Sequence, residues 1–290
     1  MKISVASGKG GTGKTTVSAS LLSVWPDPVV AVDLDVEEPN LHLFLHPSIS
    51  GGRNAFMEIP KVDESLCNRC GQCSSLCQFK AISLMGEILM IFPEMCHGCG
   101  GCIAICPDGA LSVDFRDMGD ISWGRWEKGD FIMGRLRVGE AMSPPLMRAV
   151  MARLDDRITA SPADAVIDAP PGASCPAVNA VMDSDMILLV TEPTPFGAYD
   201  MKLAHEAFAP MNKPMGVVVN RAGLGNSEIY DYCEAQDLEI LAEIPYDRRI
   251  AEAYAKGCII ADTSGEMRRL FTGLFERIRQ RAAGGMEAAK

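Results

Sequence analysis

Eight residues near the amino terminus, GKGGTGKT from Gly8 to Thr15, have the composition and spacing of a phosphate-binding loop. Gly10, Gly11 and Gly13 let the backbone wrap phosphate oxygens, so that successive N–H groups and a helix start face the anion. Gly8, Lys9, Thr12 and Thr16 complete the loop and its exit. Lys14 is placed to reach the β- and γ-phosphates of a nucleotide, and the Thr15 hydroxyl to enter the shell of a Mg²⁺ ion. Two apolar runs further on end in acids: Val29 to Val32 leads into Asp33 and Asp35, and AVID ends in Asp168 before the turn APPG. The carboxyl ends of strands are where an α/β sheet presents ligands. One such aspartate alone could be a helix cap. Three of them beside a complete glycine loop point to a cation held next to phosphate, with Asp168 the best candidate to hold Mg²⁺ through water.

The second chemistry-bearing block is cysteine-rich. Eight of the eleven cysteines fall between Cys67 and Cys106, in the runs CNRCGQCSSLC and CHGCGGCIAIC. An offset of twenty-nine residues maps Cys67, Cys70, Cys73 and Cys77 onto Cys96, Cys99, Cys102 and Cys106, and Ala81–Ile82 onto Ala110–Leu111, which marks an internal duplication. Two C-x₂-C-x₂-C-x₃-C runs are the signature of a bacterial two-cluster ferredoxin, in which each fourth cysteine ligates the other cluster. The expectation is one [4Fe–4S] cluster on Cys67, Cys70, Cys73 and Cys106 and another on Cys96, Cys99, Cys102 and Cys77. Zinc is the competing metal, since C-x₂-C pairs also make tetrahedral sites. Pro107 follows the second run as that pattern expects, while Gln78 follows the first.

These groups need elements to hold them. Strand-like runs at Lys2 to Ser7, Val29 to Val32, 165–168, Met186 to Thr191, Met215 to Asn220 and Glu239 to Ile244 alternate with helix-compatible stretches after Thr15 and at 197–209 and 226–235. Such alternation predicts an α/β fold with a mainly parallel sheet covered on both faces. The 135 residues from Asp33 to Asp168 exceed what that alternation needs. The excess predicts an inserted small α+β ferredoxin-like domain at 61–113 inside a discontinuous nucleotide-binding domain at 1–60 and 114–290, with a hairpin at Leu84 to Phe92 between its halves. Residues 114–141, which carry Trp123, Trp126 and Phe131, read as a return hairpin, a carrier for the insert or part of a dimer face.

Bulk properties set limits. The net charge of −11 disfavours nucleic acid or an anionic membrane as a general partner. No leader-like segment and no run of about eighteen apolar residues is present, so the cytoplasm is the expected compartment. Clustered cysteines in such a chain read as metal ligands rather than disulfides. Lone Cys175, Cys233 and Cys258 read as packed small hydrophobes.

GKGGTGKTT, VAVDLDVEEPN and VIDAPPG together resemble the deviant P-loop ATPases of the SIMIBI class, the family of the Min, Par and Mrp ATPases and the nitrogenase iron protein. The resemblance covers roughly residues 1–48 and 140–262. It implies ATP or ADP with Mg²⁺, and slow, partner-stimulated hydrolysis. It implies that Lys9 is the signature lysine that reaches a partner's phosphates across an ATP-bridged homodimer, or a heterodimer with a related ATPase. It assigns Asp35 to orienting the attacking water, Asp33 to the strand-end acid near Mg²⁺ and Asp168 to the Walker B position. It places Asn220, Arg221 and Pro245 at the adenine end. The whole architecture resembles anaerobe ATPases with an inserted ferredoxin domain, including subunits of the orange protein complex of sulfate reducers.

The function expected on this reading is nucleotide-gated dimerisation coupled to electron transfer or to a redox or metallocluster protein partner. The alternatives are a Par/Min-like positioning or interaction switch, and an iron–sulfur or metallocluster assembly factor. Near the carboxyl terminus Met267, Leu270, Phe271, Leu274, Phe275 and Ile278 recur at helical spacing among arginines. They predict a final helix covering the sheet, with a reversible membrane anchor as the alternative.

Overall fold

The computed structural model describes residues 1–26 and 28–288. The first half of the chain runs β1 (Lys2–Ala6), α1 (Lys14–Val24), β2 (Val29–Asp33), a single helical turn α2 (His42–Leu45) and the long β3 (Ser48–Val62). A small lobe follows, made of α3 (Gln72–Leu76), the hairpin β4 (Ile82–Met85) and β5 (Ile88–Ile91), a tight turn at Pro93–Met95, and α4 (Gly101–Ile105). The chain returns through β6 (Leu111–Trp126), β7 (Gly129–Leu136), α5 (Pro144–Ala160), β8 (Asp164–Asp168), α6 (Cys175–Met182), β9 (Met186–Thr191) and α7 (Pro195–Phe208). It ends with β10 (Met215–Ala222), α8 (Glu228–Ala235), β11 (Ile240–Pro245), α9 (Arg248–Ala255) and α10 (Gly265–Ala288).

The strands build one nine-stranded sheet in the order β11-β10-β9-β1-β8-β2-β7-β6-β3. From β11 to β7 every neighbour is parallel. β6 and β3 are antiparallel additions at one side, so the sheet is mixed, parallel from β11 to β7 and antiparallel beyond it. Residues 114–141, read as a return hairpin, do form one: β6 and β7 pair antiparallel, and the hairpin joins the sheet through β7 beside β2. Gly124 shows why glycine is needed there: a Cβ would stand 2.1 Å from the Ser48 carbonyl oxygen of β3.

The parallel strands are apolar on both faces, as strands covered on both sides must be. Val30 and Val32 of β2 enter one core, and Val29 and Ala31 the other. The second core is sealed by α10, whose Phe271, Leu274 and Ile278 are fully buried. Phe275 of α10 meets Trp25 edge-on, with ring centroids 4.7 Å apart. The apolar stripe therefore faces the sheet rather than a bilayer, which corrects the membrane-anchor alternative. Among the described residues no helix is long and apolar enough to cross a membrane.

The duplication seen in the sequence recurs in the backbone of the lobe. Gly71 and Gly100 precede α3 and α4 with φ of 74° and 69°. Arg69 and Gly98 have φ of 61° and 65°, and Lys80 and Gly109 have 55° and 62°.

If α10 carries core packing, Phe271→Ala loses about 3–5 kcal/mol of stability. Urea unfolding measures it. A loss below about 1 kcal/mol would show that this helix contributes little to the core.

Candidate nucleotide site

The loop between β1 and α1 lies at the carboxyl edge of the sheet, where β2 and β8 deliver their acids side by side. Asp33 and Asp168 are register partners across this pair, and their exposures are only 0% and 1%. Each is held by short hydrogen bonds. Asp168 accepts from the Thr15 hydroxyl at 2.6 Å and the Ser18 hydroxyl at 2.9 Å. Asp33 accepts from the Leu41 amide at 2.8 Å and the Asp35 amide at 3.3 Å. The Lys14 ammonium, itself buried, stands 4.0 Å from Asp35 Oδ2.

Three acids share this corner with one lysine, and their ionisation shows it. Burial, then repulsion from Asp168, raises Asp33 well above the usual carboxylate range. Burial also raises Asp168, against the opposing pull of Lys14 and its two hydroxyl donors. Asp35 is pushed up to about 7, first by burial and then by Asp168, Glu37 and Glu38, with Lys14 opposing. A site that holds its carboxylates this far up is short of positive charge. Mg²⁺ is a cation of the right kind: it prefers oxygen donors, keeps several waters and takes only one or two carboxylates alongside substrate phosphates. The Thr15 hydroxyl, Asp168 and Asp33 are the oxygen donors that would hold it.

The loop fits an anion by a separate observation. The Thr12 hydroxyl is buried and has no partner, an unsatisfied group of the kind a bound phosphate would use. Gly13 is left-handed at φ 96°, and a Cβ there would stand 2.4 Å from the Asn220 amide nitrogen. At Gly8 a Cβ would meet the Asp200 carbonyl oxygen of α7 at 1.9 Å. The adjoining cavity, about 520 Å³, is lined by Gly10, Gly11, Gly13, Lys14, Thr15, Thr16, Asp35, Asn220, Arg221 and Pro245. Tyr246 and Tyr254, which the sequence did not single out, line it too.

Two side chains have different neighbours from those the resemblance implies. Asn220 is already engaged, donating to the Thr12 carbonyl at 2.7 Å and accepting from the Arg221 amide at 2.9 Å. Lys9 bonds within its own chain to Glu192 Oε1 at 2.6 Å, while Arg221 pairs with the other oxygen of Glu192. Arg221 also reaches the Gly11 carbonyl at 3.3 Å and holds a left-handed φ of 56°. Burial works to raise the Glu192 carboxyl, but the Lys9 hydrogen bond and the charges of Lys9 and Arg221 outweigh it and hold it below its ordinary value. Sequence reasoning missed Glu192. The signal was there, since the apolar run MILLVT ends in this acid as the earlier runs end in Asp33 and Asp168.

In the lobe, Cys67, Cys70, Cys73 and Cys106 line one small hollow of about 20 Å³. Cys77, Cys96, Cys99 and Cys102 line another of about 210 Å³, beside the stacked rings of Phe79 and His97. All eleven cysteines are free thiols. Among the described residues, no three Cys, His, Asp or Glu side chains are grouped so that they could hold a metal ion. Burial also pushes the Cys73 and Cys102 thiols up. The expectation of two [4Fe–4S] clusters, and with it the ferredoxin-like insert, the iron–sulfur ATPase resemblance and the electron-transfer reading, is corrected accordingly. The zinc alternative falls on the same finding. Of the lone cysteines only Cys233 is buried; Cys175 and Cys258 are exposed.

A glycine loop between strand and helix, strand-end acids and a buried lysine define a P-loop nucleotide-binding protein of the α/β class. The family model of the CobQ/CobB/MinD/ParA nucleotide binding domain matches residues 3–259, and the chain belongs to that family. An uncharacterised protein of Methanocaldococcus jannaschii is 31% identical over 283 residues, covering 97% of this chain and 97% of its own length. A second from that organism is 29% identical, covering 89% and 90%. Among solved structures, the septum site-determining protein MinD of Pyrococcus horikoshii, complexed with Mg-ADP, superposes with a TM-score of 0.59 at 20% identity, covering 98% of each chain. The McdA–ATP complex of Cyanothece gives 0.55 at 16% identity, covering 98% of this chain and 96% of the other. At these identities the likeness is one of fold.

The raised acids set a pH dependence. The folded state holds protons on these acids that the unfolded chain has released, so their contribution to the stability of the nucleotide-free protein falls as pH rises from about 4, the unfolded value, to about 7, the Asp35 value. Asp35→Asn removes one contributor. Thermal unfolding across this range should show the variant gaining on the wild type as pH rises, with the difference smallest near the acid end. Parallel curves would refute the burial argument.

Proposed function

We propose that the protein is an ATP-dependent molecular switch: it binds ATP with Mg²⁺ in the cleft beside Lys14, hydrolyses it slowly, and pairs with a second copy or a related chain in the ATP state. The observation that carries this reading is the convergence of Lys14, Thr15, Asp35 and Asp168 on one cleft, next to the unpartnered Thr12 hydroxyl. The bound nucleotides of the two solved relatives, Mg-ADP in one and ATP in the other, support the choice of ligand. Positioning or interaction control, in the manner of Min and Par ATPases, is the reading that family membership favours.

Phosphoryl transfer asks the protein for position and charge rather than covalent chemistry, and a Mg²⁺ ion held by Thr15, Asp33 and Asp168 would supply neutralising charge beside the phosphates. Lys14 and the loop amides supply the remaining positive potential. Asp35, half-buried at the mouth of the cleft, is placed to hold an attacking water. Asn220, Arg221 and Pro245 line the same cleft and on this reading support the base, Asn220 and Arg221 from positions bonded to the phosphate loop itself. Lys9 has its own intrachain partner in Glu192, so reaching a partner's phosphates requires it to leave that carboxylate.

Hydrolysis and mass measurements test this. Lys14→Ala should lower ATP affinity and turnover by about a hundredfold or more, the scale of losing a phosphate-clamping charge. Asp35→Ala should keep ATP binding while cutting turnover at least about tenfold. Lys9→Ala should bind ATP as a monomer yet lose ATP-dependent dimerisation by light scattering. Wild-type protein that binds no nucleotide, or a Lys14→Ala variant that turns over normally, would overturn the assignment.

A further inference from the structure

The cysteine lobe and the nucleotide cleft are joined by a chain of polar contacts that neither site needs for its own sake. Arg116, on β6, is buried to 5% side-chain exposure, and its partner Glu140, in the loop after β7, to 4%. They bond at 2.7 Å through Arg116 Nη2. The other terminal nitrogen, Nη1, donates to the carbonyl of Pro93, in the turn that precedes Cys96. The Cys96 amide donates to the same carbonyl at 3.1 Å. Glu140 Oε1 also accepts from the Met142 amide at 3.0 Å. Next to Met142, the buried Ser143 hydroxyl donates to Glu37 at 3.0 Å. Glu37 lies two residues after Asp35. The same loop is tied twice more through its backbone: Leu136 donates to Val36 at 2.8 Å, and Arg137 to Met118 at 3.0 Å.

A buried arginine with a single carboxylate partner cannot lose a contact cheaply. Withdrawing the Pro93 carbonyl leaves an N–H without a partner, and separating the pair leaves the Arg116 charge uncompensated and Glu140 with only the half-exposed Arg137 guanidinium, 3.9 Å away. Arg116 Nε is already buried without an acceptor, so the guanidinium has no spare contacts to absorb a shift. A displacement of the turn at Pro93–Met95 is therefore passed to Glu140, and from there through Met142 and Ser143 to the segment that carries Asp35.

We infer that the Arg116–Glu140 pair couples the cysteine lobe to the nucleotide cleft, so that whatever engages the lobe resets Asp35 and whatever fills the cleft resets the lobe. The inference rests on the nucleotide reading above. Coupling of this kind is reciprocal, which lets it be read from the nucleotide side without knowing what the lobe binds.

Hydrogen–deuterium exchange on the full chain, with Mg-ADP, with Mg and a non-hydrolysable ATP analogue, and without nucleotide, supplies the test. In the wild type, nucleotide should protect residues 10–16 and change exchange at 95–98 by about fivefold or more, the low end of ordinary coupling between sites. Ser143→Ala cuts the last link without touching a capping bond, since the Ser143 side chain makes none to α5. It should keep protection at 10–16 and lose the response at 95–98; Glu140→Gln should do the same. The coupling is refuted if the wild-type lobe ignores nucleotide while 10–16 is protected, or if Ser143→Ala leaves the lobe response intact. Absence of protection at 10–16 with either nucleotide would instead sink the nucleotide reading, and the coupling with it.

Discussion

Two carboxylates buried side by side, Asp33 and Asp168, constrain everything around them. They sit opposite each other on neighbouring parallel strands, and nothing in a folded chain tolerates that arrangement without compensation. The chain supplies hydroxyls from α1, amides from 35 and 41, and one ammonium from Lys14. The order of the strands follows from this need: β1 must lie beside β8, and β8 beside β2, for one loop and two acids to meet at one edge. The compensation stays incomplete, and the raised carboxyls are the residue of that shortfall. A cation-bearing ligand would, on the proposed reading, complete the electrostatics of this edge.

Much of this was legible in the sequence because it is local. A phosphate loop is eight consecutive residues, and a strand-end acid is an apolar run that stops at a carboxylate, so both survive reading one residue at a time. Glu192 obeys the same rule and was overlooked only because no motif is attached to it. What the sequence could not supply is pairing. That Asn220 spends its amide on the Thr12 carbonyl, or that β3 and β6 form a long ribbon on the sheet edge, depends on residues far apart in the chain. The glycines of β6 read as turn formers when their reason for being there is the closeness of the neighbouring strand.

The cysteine block illustrates another limit. Its repeat does shape the chain: equivalent residues in the two copies share left-handed backbone conformations, and each copy carries one short helix at the matching position. Spacing therefore fixes the path of the backbone. A metal site demands more, namely several sulfurs turned to one point with their charges exposed to the ion. In this structure Cys70 and Cys99 are exposed while Cys73 and Cys96 are buried, and the grouping that would hold a metal is absent among the described residues. The lobe is better understood through its attachment at Pro93 than through the count of its thiols.

The buried Glu192 carboxylate pairs with Lys9 through one oxygen and with Arg221 through the other, and so ties the start of the phosphate loop to the strand-end residue beside Asn220. Arg221 adopts a left-handed backbone that a long side chain ordinarily avoids, and its two contacts to Glu192 and Gly11 hold it there. Freeing Lys9 leaves Glu192 with Arg221 alone, while the ammonium needs a new anion of comparable strength close by. Phosphate oxygens presented by a partner meet that condition; water alone does so poorly for a carboxylate this far buried. On the proposed reading, then, occupation of the cleft precedes pairing of chains, because the lysine that bridges them has no reason to leave its own acid until a phosphate competes for it.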